Sequence, residues 1–141
     1  MNIEEIRNLS LGDWVSWGKL FIRITGLMYG GVKGVFNHHE LINWLTIDDV
    51  EPIPLTQSLF EANGFKVDGY AILNLQDGKW LEYYFHEHRF SMYYEGIDEW
   101  QNHSQVRDIV FRSQPFYVHE LQHCLRLCCL NDLADNLKLE E

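Results

Sequence analysis

Five consecutive residues, His119-Glu120-Leu121-Gln122-His123, reproduce the H-E-x-x-H spacing of zinc peptidases. On a helix, two histidines four positions apart share a face and can chelate zinc, while the glutamate between them activates the bound water. That chemistry would make the chain a zinc-dependent hydrolase, with His119 and His123 as metal ligands and Glu120 as the catalytic base.

Helical geometry argues against it. At about 100° per residue, with His119 at zero, His123 falls near ~40° and Arg126 near ~340°. Leu121, Cys124, Leu125 and Cys128 fall between about 140° and 240° on the same scale. The helix is therefore expected to bury the leucines and cysteines and to turn both histidines toward solvent or a polar partner. Arg126 lies one turn beyond His123 on the histidine stripe, where its charge would repel a cation. No third histidine follows at metzincin spacing, and only Glu140 and Glu141 lie far enough downstream, in a tail expected to fray. The expectation is no metal, no cofactor and no catalytic residue.

The other chemistry-bearing residues are fewer. Cys124, Cys128 and Cys129 lie within six residues of one helix, an odd and clustered set that is no disulfide framework and fits a reducing compartment. Cys124 and Cys128 read as small buried hydrophobes. In "FHEHRF", His86 and His88 would share a side of a strand, the arrangement of a cupin-like metal pair, but no glutamate follows at the matching distance. Solvent-facing histidines are the plainer expectation. "NHHE", Asn37 to Glu40, reads as a loop. No G-x-S-x-G elbow and no phosphate-cradling glycine loop is present.

These residues need elements to position them. In "LFIRIT", Leu20, Ile22 and Ile24 alternate with Phe21, Arg23 and Thr25, the period of a half-buried strand. In "DWVSW", Val15 and Trp17 alternate with Trp14 and Ser16. Val15, Trp17, Ile22 and Ile24 are thus the expected inward set, and Gly30-Gly31 marks a tight turn. With "ELINWLTI", this reads as an SH3-like barrel over residues 1–54. Thr56 is the expected N-cap of a short helix, with Leu55 and Phe60 as a hydrophobic staple and Gly64 just past its end. Residues 55–65 form this connection. Residues 66–141 read as an antiparallel meander, with Asp77-Gly78 as a hairpin turn, carrying a C-terminal helix over 117–129. The fold class is α+β, one cooperative unit of two halves.

Trp14 and Phe21 stand on the outward face of the barrel. Large aromatics there are either covered by the second half or form a docking site for a partner. The first explanation is the expected one, and the two residues are the candidate partner-binding positions if it fails.

Composition narrows the function. The chain has 141 residues, 46% hydrophobic and 14% aromatic, enough for a real core. Its net charge is −10 from 11 basic and 21 acidic residues. Residues 1–64 carry four basic and eight acidic side chains and the rest seven and thirteen, so both halves are acidic. Nucleic-acid binding, which needs a basic patch, is not expected. An acidic nucleic-acid mimic that occupies such binders is an alternative. No apolar run is long enough to span a bilayer and no signal peptide is visible, so a cytoplasmic location without membrane association is expected.

Two stretches carry a resemblance. "PIPLTQSLFEANGF" offers Pro52, Leu55, Thr56, Leu59, Gly64 and Phe65. "YVHELQHCLRL" offers Tyr117, Val118, His119, Leu121 and Gln122. Together they resemble a group of small uncharacterised proteins of gut bacteria and their prophages, with a late Y-V-H-x-L-Q-N helix. His123 stands where that group has Asn, Glu120 where Gln is common, and Asp13 where its opening x-x-G-N-x-V has Asn. The resemblance brings no known activity. It implies a mobile-element origin, a zinc motif that arose by two substitutions, and His119 and Gln122 as a structural hydrogen-bonding pair. The function expected is a non-enzymatic protein-interaction module.

Overall fold

The computed structural model describes residues 8–28, 30–36, 39–40, 44–46, 48–97 and 103–139. It is an α+β molecule built almost wholly from antiparallel strands. The first sheet contains β1 (Trp14–Trp17), β2 (Leu20–Met28), β3 (Gly31–Phe36), β4 (His39–Glu40) and β5 (Leu45–Thr46). The order is β1-β2-β3-β4, with β5 also on β3, so the sheet curls into a half-barrel. Gly34 makes the curl possible. A Cβ there would collide with the Arg23 carbonyl and the Ile22 side chain on the facing strand. A register shift between Ile24 and Gly26 bends β2 at the same level.

Alternation places Val15, Ile22, Ile24 and Val32 inside, in a small core closed by Leu9, Leu45 and Val50. Trp17, expected inside with them, is 36% exposed. It is the last residue of β1, next to the Gly18 turn (φ 60°), and extends past the end of this small core.

The connection forms α1 (Gln57–Ala62). Thr56 Oγ1 accepts from the Leu59 N–H at 3.2 Å, the expected N-cap. At the other end Phe65 N–H donates to the Phe60 carbonyl and Gly64 N–H to that of Glu61, with Gly64 at φ 88°. This is a Schellman ending, which needs a left-handed residue after the cap.

The second sheet is a meander of β6 (Lys66–Val67), β7 (Ala71–Asn74), β8 (Lys79–Tyr84), β9 (Arg89–Ile97) and β10 (His103–Ser113), in spatial order β10-β9-β8-β7-β6. Asp77 (φ 63°) and Gly78 (φ 71°) form the expected β7–β8 turn, both left-handed as a two-residue hairpin requires. "FHEH" is a turn rather than strand, because β8 ends at Tyr84 and β9 begins at Arg89.

α2 (Val118–Leu127) and α3 (Asn131–Asp135) follow. One face of the meander and both helices share the larger core. At its centre Phe60 stacks on Tyr83, with ring centroids 4.7 Å apart, and meets Phe65 edge-on at 5.0 Å. The tail expected to fray is packed instead: Ala134 and Leu137 are buried in this core. Trp14 and Phe21, from the first sheet, pack against it as well.

Candidate functional site

α2 starts where its sequence supplies a cap. Glu120 sits in the first turn and its Oε1 accepts from the backbone N–H of Tyr117 at 3.2 Å and of Phe116 at 3.1 Å. These are orphan donors of the helix start, which a carboxylate also favours through the helix dipole. The Val118 N–H donates to the Ile53 carbonyl at 2.8 Å, tying the helix to the connecting segment. One oxygen of Glu120 thus caps the helix, and the residue also lines a cleft of 260 Å³ with His123 and Ser113.

His119 is 2% exposed, a correction to the expectation that both histidines face outward. Its ring lies parallel to that of Tyr117 at 6.0 Å and edge-on to that of His123 at 6.0 Å. The reason is that α2 is covered on two sides. Leu121, Cys124 and Leu125 are buried in the larger core, and the opposite side meets the segment entering β1.

That second contact is polar. Asp13 is fully buried. Its Oδ2 lies 2.6 Å from His123 Nε2, and its Oδ1 accepts from Arg126 at 2.7 Å. Oδ2 also accepts from the Ser10 N–H at 2.8 Å, within a turn that Gly12 closes at φ 90°. The second Arg126 nitrogen approaches Asp135 of α3 at 3.5 Å. Arg126, expected to repel a metal beside His123, shares a carboxylate with it instead. Burial makes that carboxylate costly unless paired, and two cation-capable groups with a backbone N–H pair it.

Gln122 works beside it. Its Oε1 accepts from the Trp14 N–H at 3.0 Å, and its Nε2 donates to the carbonyls of Gly12 and Ala134, each at 3.1 Å. One amide uses its acceptor and both donors to join β1, α2 and α3. The expected His119–Gln122 hydrogen-bonding pair is not what forms: the three bonds of Gln122 go to backbone groups of other segments and none goes to His119.

The remaining candidates are dispersed. His88 lies in the turn at φ 49°, with Nδ1 3.2 Å from the Tyr83 hydroxyl and its ring stacked on Phe116 at 4.3 Å. His86 is exposed, so the two do not share a strand face. The side chains of "NHHE" lie outside the described residues. Among the described residues, no group of three His, Cys, Asp or Glu is arranged to hold a metal ion.

Cys124 is buried, Cys128 half-buried and Cys129 exposed, all as free thiols. Cys128 is therefore less covered than its helical position implied. Burial pushes the Cys124 thiol from 9.0 to about 11, with a Ser113 hydrogen bond opposing and Glu120 reinforcing the rise. Burial, then Cys124 and Cys129, push Cys128 to about 11. Tyr83 is pushed from 10.0 to about 12 by burial, Glu120 and Cys124. Its hydroxyl donates to the Pro115 carbonyl at 3.0 Å.

Sequence reasoning missed three exposed apolar residues near one end of the half-barrel. Leu27, Met28 and Trp44 are all exposed, Met28 at 51%. Trp44 lies over Gly26, where a Cβ would come within 3.0 Å of the indole. Register places the three at one end of the half-barrel, since Met28 pairs with Gly31, and Gly31 with Thr46 of β5. Asp48 and Asp49 are exposed in the turn beyond β5. The detectable signal was a glycine one residue before two apolar residues at the end of a strand.

Phe21 lines a cleft of 320 Å³ with Ile53, Pro54, Leu59 and Leu139. No helix of the described residues is long and apolar enough to cross a membrane. No family model, curated protein or solved structure matches the chain.

Proposed function

We propose that the chain is a non-enzymatic protein-interaction module of mobile-element origin, acting in the cytoplasm. Its docking surface is the outer face at one end of the half-barrel, formed by Met28 and Trp44. The observation that carries this reading is the exposure of Met28 and Trp44 on one face. Met28 and Trp44 are large exposed apolar side chains on the outer face of β2, where Trp44 covers Gly26, and Asp48 and Asp49 are exposed in the turn after β5, while Glu120 and His123 of the histidine motif make contacts that hold the fold. Contiguous exposed apolar surface with a polar rim is the pattern of a protein contact.

The partner this surface fits is a protein with an apolar anchor flanked by lysine or arginine, which also agrees with the net charge of −10. The first sheet fits an SH3-like reading, on the support of short antiparallel strands curled around one small core.

The experiment is cross-linking capture with the wild type and with Met28→Asp and Trp44→Ala. A single partner retained by the wild type in moderate salt and lost with both variants supports the reading. Capture that is indifferent to both variants and abolished by salt alone points to the acidic-mimic alternative.

A further inference from the structure

α2 ends in a Schellman motif of its own. The Leu130 N–H donates to the Leu125 carbonyl at 2.8 Å and the Cys129 N–H to that of Arg126 at 3.0 Å. The left-handed position of that motif is Cys129, at φ 61°. Glycine fills this position without steric cost in most helices, and an L side chain there is strained. Strain kept against an easy substitution directs attention to what the side chain does.

The residue before it is also a cysteine. Cys128 and Cys129 both line a cleft of 660 Å³ between the β7–β8 turn and the α2–α3 junction, with Lys79 at its edge and Met92 and Leu130 as apolar wall. Cys124 opens instead on a different cleft, beside Ser113. Two adjacent cysteines therefore line one open volume large enough for a small organic group, Cys128 from the edge of the larger core and Cys129 from the exposed end of α2.

The thiols also select their ligand. With Cys128 pushed up to about 11, both its burial and its neighbours keep it protonated at neutral pH. Zinc requires thiolates and further ligands, and no third metal-ligating side chain of the described residues completes the set. A species that displaces both protons must form strong covalent bonds to sulfur. Trivalent arsenic does so, and its pyramidal geometry accepts two sulfurs from neighbouring residues in one chelate ring. A linear two-coordinate ion such as Cu(I) needs its sulfurs on opposite sides.

We propose that Cys128 and Cys129 form a vicinal dithiol site for trivalent arsenicals. For a compound R–As=O, two S–H bonds and the As=O bond break and two As–S bonds form. Both protons leave with the oxygen as water, arsenic stays trivalent, and no sulfur is oxidised. The second As–S bond closes within the molecule, so its effective concentration is high. The site is independent of the docking surface, which lies on the other sheet.

The test is titration of the reduced full-length chain with phenylarsine oxide, read by native mass and by peptide mapping after iodoacetamide. The expected result is one adduct per chain, heavier by the arsenical less one water, with Cys128 and Cys129 both protected and Cys124 unaffected. Ethanedithiol should remove it. Cys129→Ser should weaken binding roughly a hundredfold, the loss of the intramolecular second bond. Wild-type affinity in Cys129→Ser, an adduct on Cys124, or protection of only one thiol of the pair would overturn the proposal. The mapping is made on the wild type, so it decides the matter even where a Cys128 variant folds poorly.

Discussion

Asp13 and His123 lie 110 residues apart in the chain and 2.6 Å apart in the fold. The contact joins the turn before β1 to the middle of α2, and Arg126 completes it from one helical turn further on. The second histidine of a zinc-like motif is thereby committed to a buried carboxylate, and the first is enclosed beside Tyr117.

Removing two members of this cluster together should cost less than the sum of removing each alone. Arg126→Met leaves Asp13 buried with weaker compensation and should destabilise by about 2–4 kcal/mol, at the low end because the guanidinium is partly solvated. Asp13→Asn alone leaves Arg126 without its buried anion. Combining the two should recover about 0.5–3 kcal/mol relative to the sum, measured by urea unfolding in a double-mutant cycle. Additivity would show that the ion pair carries no coupling.

Protein purified without chelators should contain far less than one zinc per chain by elemental analysis. Glu120→Gln should leave that content unchanged and cost up to about 1 kcal/mol through the weakened helix start. About one zinc per chain, lost on changing His119 or His123, would return the motif to catalysis.

Stability should fall at high pH. Cys124 and Cys128 stand at about 11 against 9.0, and Tyr83 at about 12 against 10.0. Each folded value is raised, so the unfolded chain releases its protons first. The stabilisation is complete below pH 9 and is lost from pH 9 to 12 as pH rises through the folded values. Urea midpoints at pH 7, 9 and 11 should run level and then drop, and Tyr83→Phe should flatten the upper part of the fall. A midpoint that rises above pH 9 would reverse the sign.

Cys129→Gly should stabilise the protein by up to about 1 kcal/mol, because glycine relieves the left-handed strain at the end of α2 while loosening the unfolded chain slightly. A thermal melt detects it. Destabilisation instead would mean that the thiol has packing its exposure does not suggest.

Gln122→Leu should orphan the Trp14 N–H and the Gly12 and Ala134 carbonyls, at a cost of about 3 kcal/mol or more. Trp14 and Phe21 pack on the larger core, so a fragment ending at Phe65 would expose both. The intact chain should melt in one transition and the 1–65 fragment should be unfolded or aggregate. A soluble fragment that melts cooperatively would refute the shared unit.

What was legible in the sequence was local. Thr56, Gly64 and the Asp77-Gly78 pair announce their caps and turn because only a few residues decide those conformations. The alternation through Leu20, Ile22 and Ile24 reads correctly until Trp17, where a strand runs past the end of its core. The helical wheel finds Leu121, Cys124 and Leu125 but assumes one buried face, and α2 has two. The turn at His86 and His88 hides because it contains no glycine, proline or asparagine and His88 itself takes the positive φ. Leu130, Ala134 and Leu137, spaced four and three apart, did signal an apolar helical stripe in the tail. Nothing in the local sequence links Asp13 to His123, since that pairing is decided by how two sheets enclose one helix.

Gln122 also sets an order of events during translation. Its partners at Gly12 and Trp14 leave the ribosome long before it does, for the separation from Gly12 is 110 residues. At about 5–20 residues per second, the N-terminal segment waits roughly 5–20 s for the amide that completes it. Until α2 and α3 emerge, Trp14 and Phe21 lack the part of their core that those helices supply, and the nascent chain offers two incompletely covered aromatic side chains to whatever chaperone stands at the exit tunnel.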